Sequence, residues 1–217
     1  MRRILLLLSM LIGISATSVA QQHKFLRRSP TPMAFEHFRE AKVIQPFGRF
    51  VKAKANIFLK NGGLLFVQND TVMQADLSRI LAVRFDSVQY MKVNDSQLGA
   101  VVMQQGYNYL LRVTTIDMDK YRSEHGGGED LPYLDMNEMG MFLEIDSDSQ
   151  RREGDDGYPL QDKYYFSING QIIPANETQF KKFVAPDKKR AFKVLMNDKY
   201  WSWGDEPSLC QLFDYLK

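Results

Sequence analysis

The chain has 217 residues with 28 basic and 26 acidic side chains and one cysteine, so its formal net charge is +2. Two of the basic residues lie within the first twenty positions, and the chain after them is electrically neutral. A neutral chain lacks the basic excess that nucleic-acid binding requires, so no nucleic-acid partner is predicted. A single cysteine excludes an internal disulfide, and the hydrophobic core alone must stabilise the fold.

Residues 1–20 have the pattern of a secretory signal peptide. Arg2 and Arg3 precede about eleven mainly apolar residues, and small side chains lead to a cleavage site between Ala20 and Gln21. The apolar run is shorter than the roughly 20 residues that span a bilayer. Because no cysteine is near the site for lipid attachment, we expect a periplasmic or secreted protein with no integral membrane segment after signal removal.

Residues 21–49 are predicted to form an N-terminal arm and a short helix. The segment Ser-Pro-Thr-Pro at 29–32 suits an extended backbone, because proline disfavours helical conformation in the residue before it. Phe35, Phe38 and Ala41 then recur at helical spacing, which predicts a helix over residues 33–43.

Residues 50–119 alternate between apolar and polar side chains, as β-strands do. The predicted inner face of the first strand contains Val51, Ala53, Ala55, Ile57 and Leu59. Asn56 is placed on the outer face with the neighbouring lysines. Turn signals at Asn61-Gly62, Asn69-Asp70 and further points separate short strands, which predicts an antiparallel meander that forms a curled sheet or a small barrel.

Residues 120–162 are predicted to be an acidic, glycine-containing loop region, with a strand at residues 139–145 as an option. Residues 117–162 carry 4 basic and 14 acidic side chains, which is typical of a solvated segment. Asp146, Asp148, Asp155 and Asp156 would be the ligands of a weak calcium site. Arg151 stands where a calcium loop needs glycine, so we predict no metal here.

Residues 163–217 are predicted to form a β-hairpin and two or three helices packed on the same domain. Asn169-Gly170 is the hairpin turn, and Asn176 caps the first helix with Gln179 three positions later. The second helix, over 186–197, would direct Ala191, Val194 and Leu195 inward. The third begins after Asp205 and buries a stripe of apolar side chains. Strands followed by helices predict an α+β fold.

Catalysis is not predicted, although the sequence does not exclude it. His23, His37 and His125 are scattered, no catalytic motif is present, and Cys210 is expected to be a buried, inert thiol. A hydrolase with a dispersed active site, near His37 or His125, is therefore only the second alternative. No cofactor is predicted.

The leading hypothesis is a non-enzymatic binding or interaction module of the bacterial envelope, whose partner is an envelope protein or a small apolar ligand. The alternative is a small-molecule or lipid carrier, in which the meander forms a cup. Core packing is the competing interpretation of the aromatic side chains considered for binding, and it is favoured for the tryptophans. The candidate ligand-binding residues are Phe58, Phe66, Tyr90, Trp201 and Trp203, with Phe50 and Met73 as further lining candidates.

Several segments resemble an uncharacterised family of exported Gram-negative bacterial proteins. The resemblance lies in residues 55–62, 88–93, 179–183 and 209–216, within the broader ranges 42–94 and 164–216. It implies a signal peptide, a β-rich middle and a helical C-terminus. It implies no activity and identifies no functional residue.

Overall fold

A computed structural model describes residues 27–124 and 157–217 and confirms the α+β fold. The described residues form one large antiparallel sheet in the order β1-β10-β9-β8-β7-β6-β2-β3-β4-β5, with β11 also paired to β10. The strands are β1 (Arg28–Ser29), β2 (Arg39–Ile44), β3 (Phe50–Phe58), β4 (Gly63–Gln68), β5 (Thr71–Gln74), β6 (Ala82–Arg84), β7 (Gln89–Lys92), β8 (Leu98–Gln105), β9 (Asn108–Ile116), β10 (Tyr158–Ile168) and β11 (Gln171–Pro174). The α-helices are α1 (Met118–Glu124), α2 (Glu177–Phe180), α3 (Lys189–Met196) and α4 (Glu206–Gln211).

The sheet curls strongly, so that the turn between β3 and β4 reaches the opposite wall. The amide of Ile116 donates to the carbonyl of Leu59 at 2.7 Å, and the amide of Leu98 donates to the carbonyl of Gly62 at 2.9 Å. Gly62 has φ +77°, and a Cβ there would lie 3.3 Å from Val113 Cγ1. The curled-sheet version of the prediction is the one observed, because in the described residues the terminal strands β1 and β5 do not pair to close a barrel.

Two of the asparagine-containing turns have positive φ at both central positions, as predicted, whereas in Asn61-Gly62 only Gly62 does. Asn69 and Asp70 adopt φ of 51° and 58° between β4 and β5, and Asn169 and Gly170 adopt 51° and 81° between β10 and β11. Positive φ at both central positions gives a turn whose twist matches that of the flanking strands. These hairpins are therefore specified locally.

The predicted helix over residues 33–43 is wrong. Residues 39–44 form strand β2, and Ala41 and Val43 are its two buried side chains, two positions apart. Before β2, the amide of Ala34 donates to the carbonyl of Ile57 at 2.9 Å, which attaches this irregular part of the chain to β3. The helical spacing of the aromatic residues did not produce a helix, because the edge of β3 offers backbone hydrogen-bond partners to this segment. Those partners cannot be recognised from the local sequence.

Asn56 is a second correction, because it is fully buried and does not face solvent. Its Oδ1 accepts from the amides of Phe35 at 3.1 Å and Ile57 at 2.8 Å, and its Nδ2 donates to the Phe35 carbonyl at 2.8 Å. The side-chain amide thus acts as a substitute strand partner for residue 35. A buried polar group is tolerated where its hydrogen bonds are satisfied in this way.

The C-terminal helices cover one end of the sheet through a cluster of aromatic side chains. Phe180 lies 4.8 Å from Phe166 of β10 and 6.0 Å from Phe192 of α3, measured between ring centroids. Asn176 caps α2 as predicted, and α4 begins after Asp205 as predicted, with Asp205 as its cap; each side chain accepts a hydrogen bond from the amide three positions on. The predicted inner face of α3 is wrong in part: Leu195 packs against the core as predicted and Phe192 is buried, whereas Ala191 and Val194 are exposed.

The region predicted as a loop over 120–162 begins within α1 and ends within β10, whose first residue is Tyr158. The calcium candidates Asp146, Asp148, Asp155 and Asp156 and the option of a strand at 139–145 lie outside the described residues. So do the predicted signal peptide, the cleavage site at Ala20-Gln21, His23 and His125. Within residues 27–124 and 157–217, the helices are too short and too polar for any of them to cross a membrane.

Candidate functional site

A cavity of about 380 Å³ lies inside the curl of the sheet. One side is formed by residues 27–34, which we call the N-terminal strap, and the other sides by strands β3 and β7 to β10. The lining residues are Arg27, Arg28, Ser29, Pro30, Met33, Ala34, Ile57, Leu59, Tyr90, Leu98, Ala100, Arg112, Thr114 and Leu160. The volume falls at the lower end of the range for small-molecule sites.

The register of the strands shows which side chains form the floor of the cavity. Tyr90, Ala100 and Arg112 are directly opposite one another on β7, β8 and β9, so their side chains share the inner face. Leu98 lies two positions from Ala100 on that face, and both are buried. The small side chain of Ala100 leaves open space between Tyr90 and Arg112.

One wall of the cavity is polar and contains a half-buried arginine. Arg112 Nη1 lies 2.8 Å from Glu206 Oε2 at the start of α4. Its Nε is buried and has no hydrogen-bond acceptor in the described part of the chain. Arg112 is one of the residues that line the cavity, so its guanidinium group brings a positive charge to this wall. Thr114 lies two positions further along β9 on the same face.

The N-terminal strap is fastened at both of its arginines. Arg27 Nη1 lies 2.5 Å from Asp162 Oδ2, and the other oxygen of Asp162 accepts from Thr114 Oγ1 at 2.6 Å. Arg28 pairs with Glu124 at 2.5 Å and donates to the Gly157 carbonyl at 3.0 Å. The strap thus connects β10 and α1 to the mouth of the cavity. Arg27 and Arg28, the two charged side chains at this mouth, are already paired with acidic residues.

Two tyrosines near Arg112 are held in their neutral form. Burial raises the pKa of Tyr90 above its usual value, although the charges of Arg112 and Arg39 act in the opposite direction. The pKa of Tyr164, which is opposite Arg112 on β10, is raised by burial and then by the carboxylates of Asp162 and Glu206. A neutral Tyr90 hydroxyl can donate or accept a hydrogen bond within the cavity.

The cavity lining consists of apolar side chains, hydroxyl groups and arginines. The lining residues in the described part of the chain include no carboxylate, imidazole or thiol that could act as a general base or nucleophile. His37 is exposed and does not line the cavity, and burial raises the pKa of the half-buried Cys210 thiol, which opposes thiolate formation. Across residues 27–124 and 157–217, no group of three or more metal-ligating side chains lies close enough to hold an ion.

Of the five aromatic residues considered for binding, the structure brings Tyr90 to the cavity. Phe58 is fully buried in a core cluster with Met33 and Leu65, and Phe66 packs against a neighbouring cluster. Trp201 and Trp203 lie 5.6 Å apart, edge to face, against the core beneath the C-terminal helices. This packing agrees with the core interpretation that was favoured for the tryptophans.

The sequence interpretation missed Arg112, Thr114 and the N-terminal strap. The available signal was the polar interruption of an otherwise apolar strand, Tyr-Leu-Leu-Arg-Val-Thr-Thr-Ile at 109–116. A charged residue within such a strand requires a partner or a cavity, since burying it alone is costly. The strap could not be found, because its position depends on hydrogen bonds to strands far away in sequence.

Comparison with protein-family models, with curated proteins and with solved structures gives no match to this chain.

Proposed function

We propose that the protein is an exported, non-enzymatic binding protein that holds a small amphipathic molecule with an anionic end in the cavity of the curled sheet. The observation that carries the proposal is the cavity itself, with apolar side chains on its floor and the basic side chain of Arg112 among its lining residues. Apolar pockets with a few directed polar groups are typical of small-molecule sites. Of the two binding hypotheses from the sequence, this geometry favours the carrier.

The apolar part of the ligand is expected to lie against Leu98, Ala100 and Leu160. Burial of its hydrocarbon provides most of the binding free energy, at roughly 25 cal/mol for each Å² removed from water. The anionic end is expected to accept hydrogen bonds from Arg112 and from the Thr114 or Tyr90 hydroxyl. A carboxylate is a suitable group, because guanidinium donors match its geometry.

The test is calorimetric titration with dodecanoate and with dodecan-1-ol, two probes that differ in their charged end. We expect the purified protein to bind dodecanoate more tightly than the alcohol. Arg112→Gln should weaken dodecanoate binding roughly tenfold or more, since a charge-assisted hydrogen bond is lost, and should leave the alcohol nearly unaffected. Equal weakening of both probes would contradict the assignment of Arg112 to the anionic end.

A second variant tests the location of the site. Ala34→Leu adds volume at the cavity mouth at an exposed position of the strap, so the fold should tolerate it. It should weaken binding of both probes, whereas Ala191→Leu on the exposed face of α3 is the matched control and should change neither. If Ala34→Leu binds both probes as tightly as the unmodified protein, the ligand does not occupy this cavity.

Export is a separate part of the proposal and is tested separately. Its support is the signal-peptide pattern of residues 1–20. Mass spectrometry of the protein from the periplasm or the medium should show a chain that begins at Gln21. A product that keeps Met1 would disprove cleavage without affecting the cavity assignment.

A further inference from the structure

The hairpin of β2 and β3 carries exposed aromatic side chains at its tip. Phe47 is 97% exposed and stands at φ 62°, a left-handed conformation that few side chains adopt. Phe50, three residues later, is 52% exposed. Exposed phenylalanines grouped at one hairpin tip are unfavourable in water and indicate a surface that another phase or molecule covers.

Next to this tip, three basic side chains lie directly opposite one another on adjacent strands. Lys42 of β2 is paired with Lys52 of β3 on one side and with Arg84 of β6 on the other. We call these three residues the cation row. All three are exposed, and in the part of the chain that the structure describes none of them forms an ion pair. Like charges in directly opposed positions destabilise a sheet.

The cation row and the aromatic tip belong to one surface. Ile44 is directly opposite Phe50, so Phe50 faces the same side of the sheet as Lys42, and the Lys42 Nζ lies 4.0 Å from the centroid of the Phe50 ring. Exposed Leu81 lies at this end as well, since its amide donates to the Ile44 carbonyl at 2.8 Å. Arg49 adds a further exposed charge within the hairpin turn.

We infer that this surface docks the protein on an anionic lipid bilayer, with Phe47 inserted among the lipid head groups and the cation row against their phosphates. Such a bilayer compensates both unfavourable features at once, because its interface accepts aromatic side chains and its surface potential attracts lysine and arginine. An acidic protein would neutralise the cation row, but it would also need an apolar pocket that matches the projecting Phe47 ring. The surface is distinct from the cavity and does not depend on the proposed ligand.

The test is co-sedimentation with two kinds of vesicle. One is pure phosphatidylcholine, and the other contains about one-third phosphatidylglycerol, an anionic lipid that gives the vesicle a negative surface charge. We expect binding to the anionic vesicles, weakened by added salt, and little binding to the neutral ones. All variants keep the same N-terminal residues, so that any contribution of residues 1–20 is equal among them. Equal binding to both vesicles, or to neither, would overturn the inference.

Two triple variants relate the binding to this surface. Neutralising the cation row with Lys42→Gln, Lys52→Gln and Arg84→Gln should weaken anionic-vesicle binding by about a hundredfold, at about fivefold for each charge. The matched control, Lys181→Gln with Lys189→Gln and Lys193→Gln, removes the same net charge from exposed positions on the helical end and should change binding less than about twofold. An equal effect of the two triple variants would show that net charge alone acts.

The aromatic tip is tested with Phe47→Gly, which removes the ring and suits the positive φ. It should weaken binding to anionic vesicles roughly tenfold. Tyr107→Ser is the control, because Tyr107 is 85% exposed at the tip of the β8–β9 hairpin, which carries no such basic row. If Tyr107→Ser weakens binding as much as Phe47→Gly, the docking surface is not at the β2–β3 hairpin.

Discussion

Arg112 of β9 and Glu206 of α4 form an ion pair of 2.8 Å that joins the cavity wall to the helical end of the protein. Both side chains are about one-third exposed, so the pair contributes little to stability, in the range of 0 to about 1 kcal/mol. Its larger effect is on the site, because the Glu206 carboxylate occupies one of the Arg112 donors and offsets its charge. The pair thus competes with an anionic ligand.

Glu206→Gln is therefore expected to strengthen dodecanoate binding by roughly two- to fivefold while the free energy of unfolding changes by less than about 1 kcal/mol. Titration calorimetry and chemical denaturation measure the two quantities. Asp214→Asn removes the same charge from an exposed position near the C-terminus and should leave binding unchanged. Weaker dodecanoate binding in Glu206→Gln would show that the pair positions Arg112 instead of competing for it.

Asn56→Ala should destabilise the fold by about 2–4 kcal/mol, because the amide and carbonyl of Phe35 and the amide of Ile57 lose their shared partner. Urea denaturation measures the loss. Asn197→Ala, at an exposed position after α3, should cost less than about 0.5 kcal/mol. Similar losses in the two variants would mean that water replaces the Asn56 side chain.

Gly62→Ala should cost more stability than Gly106→Ala. Both glycines have positive φ, which costs a residue with Cβ about 1–2 kcal/mol, but a Cβ at position 62 would also crowd Val113 whereas position 106 faces open space. We expect about 1 kcal/mol of additional loss for Gly62→Ala by thermal or chemical denaturation. Equal losses would mean that the turn between β3 and β4 shifts readily away from β9.

Stability should fall at alkaline pH, and Tyr90 should account for part of the fall. Its pKa is raised in the folded protein by burial, so the folded state keeps the proton longer than the unfolded state, whose value is near 10.0. The stabilising difference is full below that pH and is lost as pH rises through the folded pKa. Tyr90→Phe should show a shallower decline of unfolding free energy above about pH 10, while Tyr107→Phe, at an exposed position, should not.

Cys210 should react slowly with iodoacetamide in the folded protein. Burial and the nearby carboxylates of Glu206 and Asp205 raise the pKa of its thiol, which lowers the thiolate fraction at neutral pH. We expect the rate at about pH 8 to be lower in the folded protein than in denaturant. A rate equal to that of the unfolded chain would contradict the burial of this thiol.

Local sequence determined the features whose causes are local. The turns at Asn69-Asp70 and Asn169-Gly170 depend on two residues that accept positive φ, and the caps at Asn176 and Asp205 depend on one side chain and the amide three positions on. Alternating apolar residues and the order of strands before helices were enough to predict an α+β fold with antiparallel strands. The predicted meander is interrupted, because β6 pairs with β2 and not with β5.

Tertiary structure decided the features that depend on partners distant in sequence. Residues 39–44 became a strand, and residues 33–38 an irregular segment, because β3 and the Asn56 amide offered hydrogen bonds. Phe192, not Ala191 or Val194, became the buried residue of α3 because Phe180 lies beneath it. The cavity exists because the Leu59–Ile116 contact curls the sheet until Tyr90 and Arg112 face the strap. The period of the apolar residues and the composition indicate which side chains can be buried. Only the pairing of strands that are distant in sequence decides which cavity these side chains enclose.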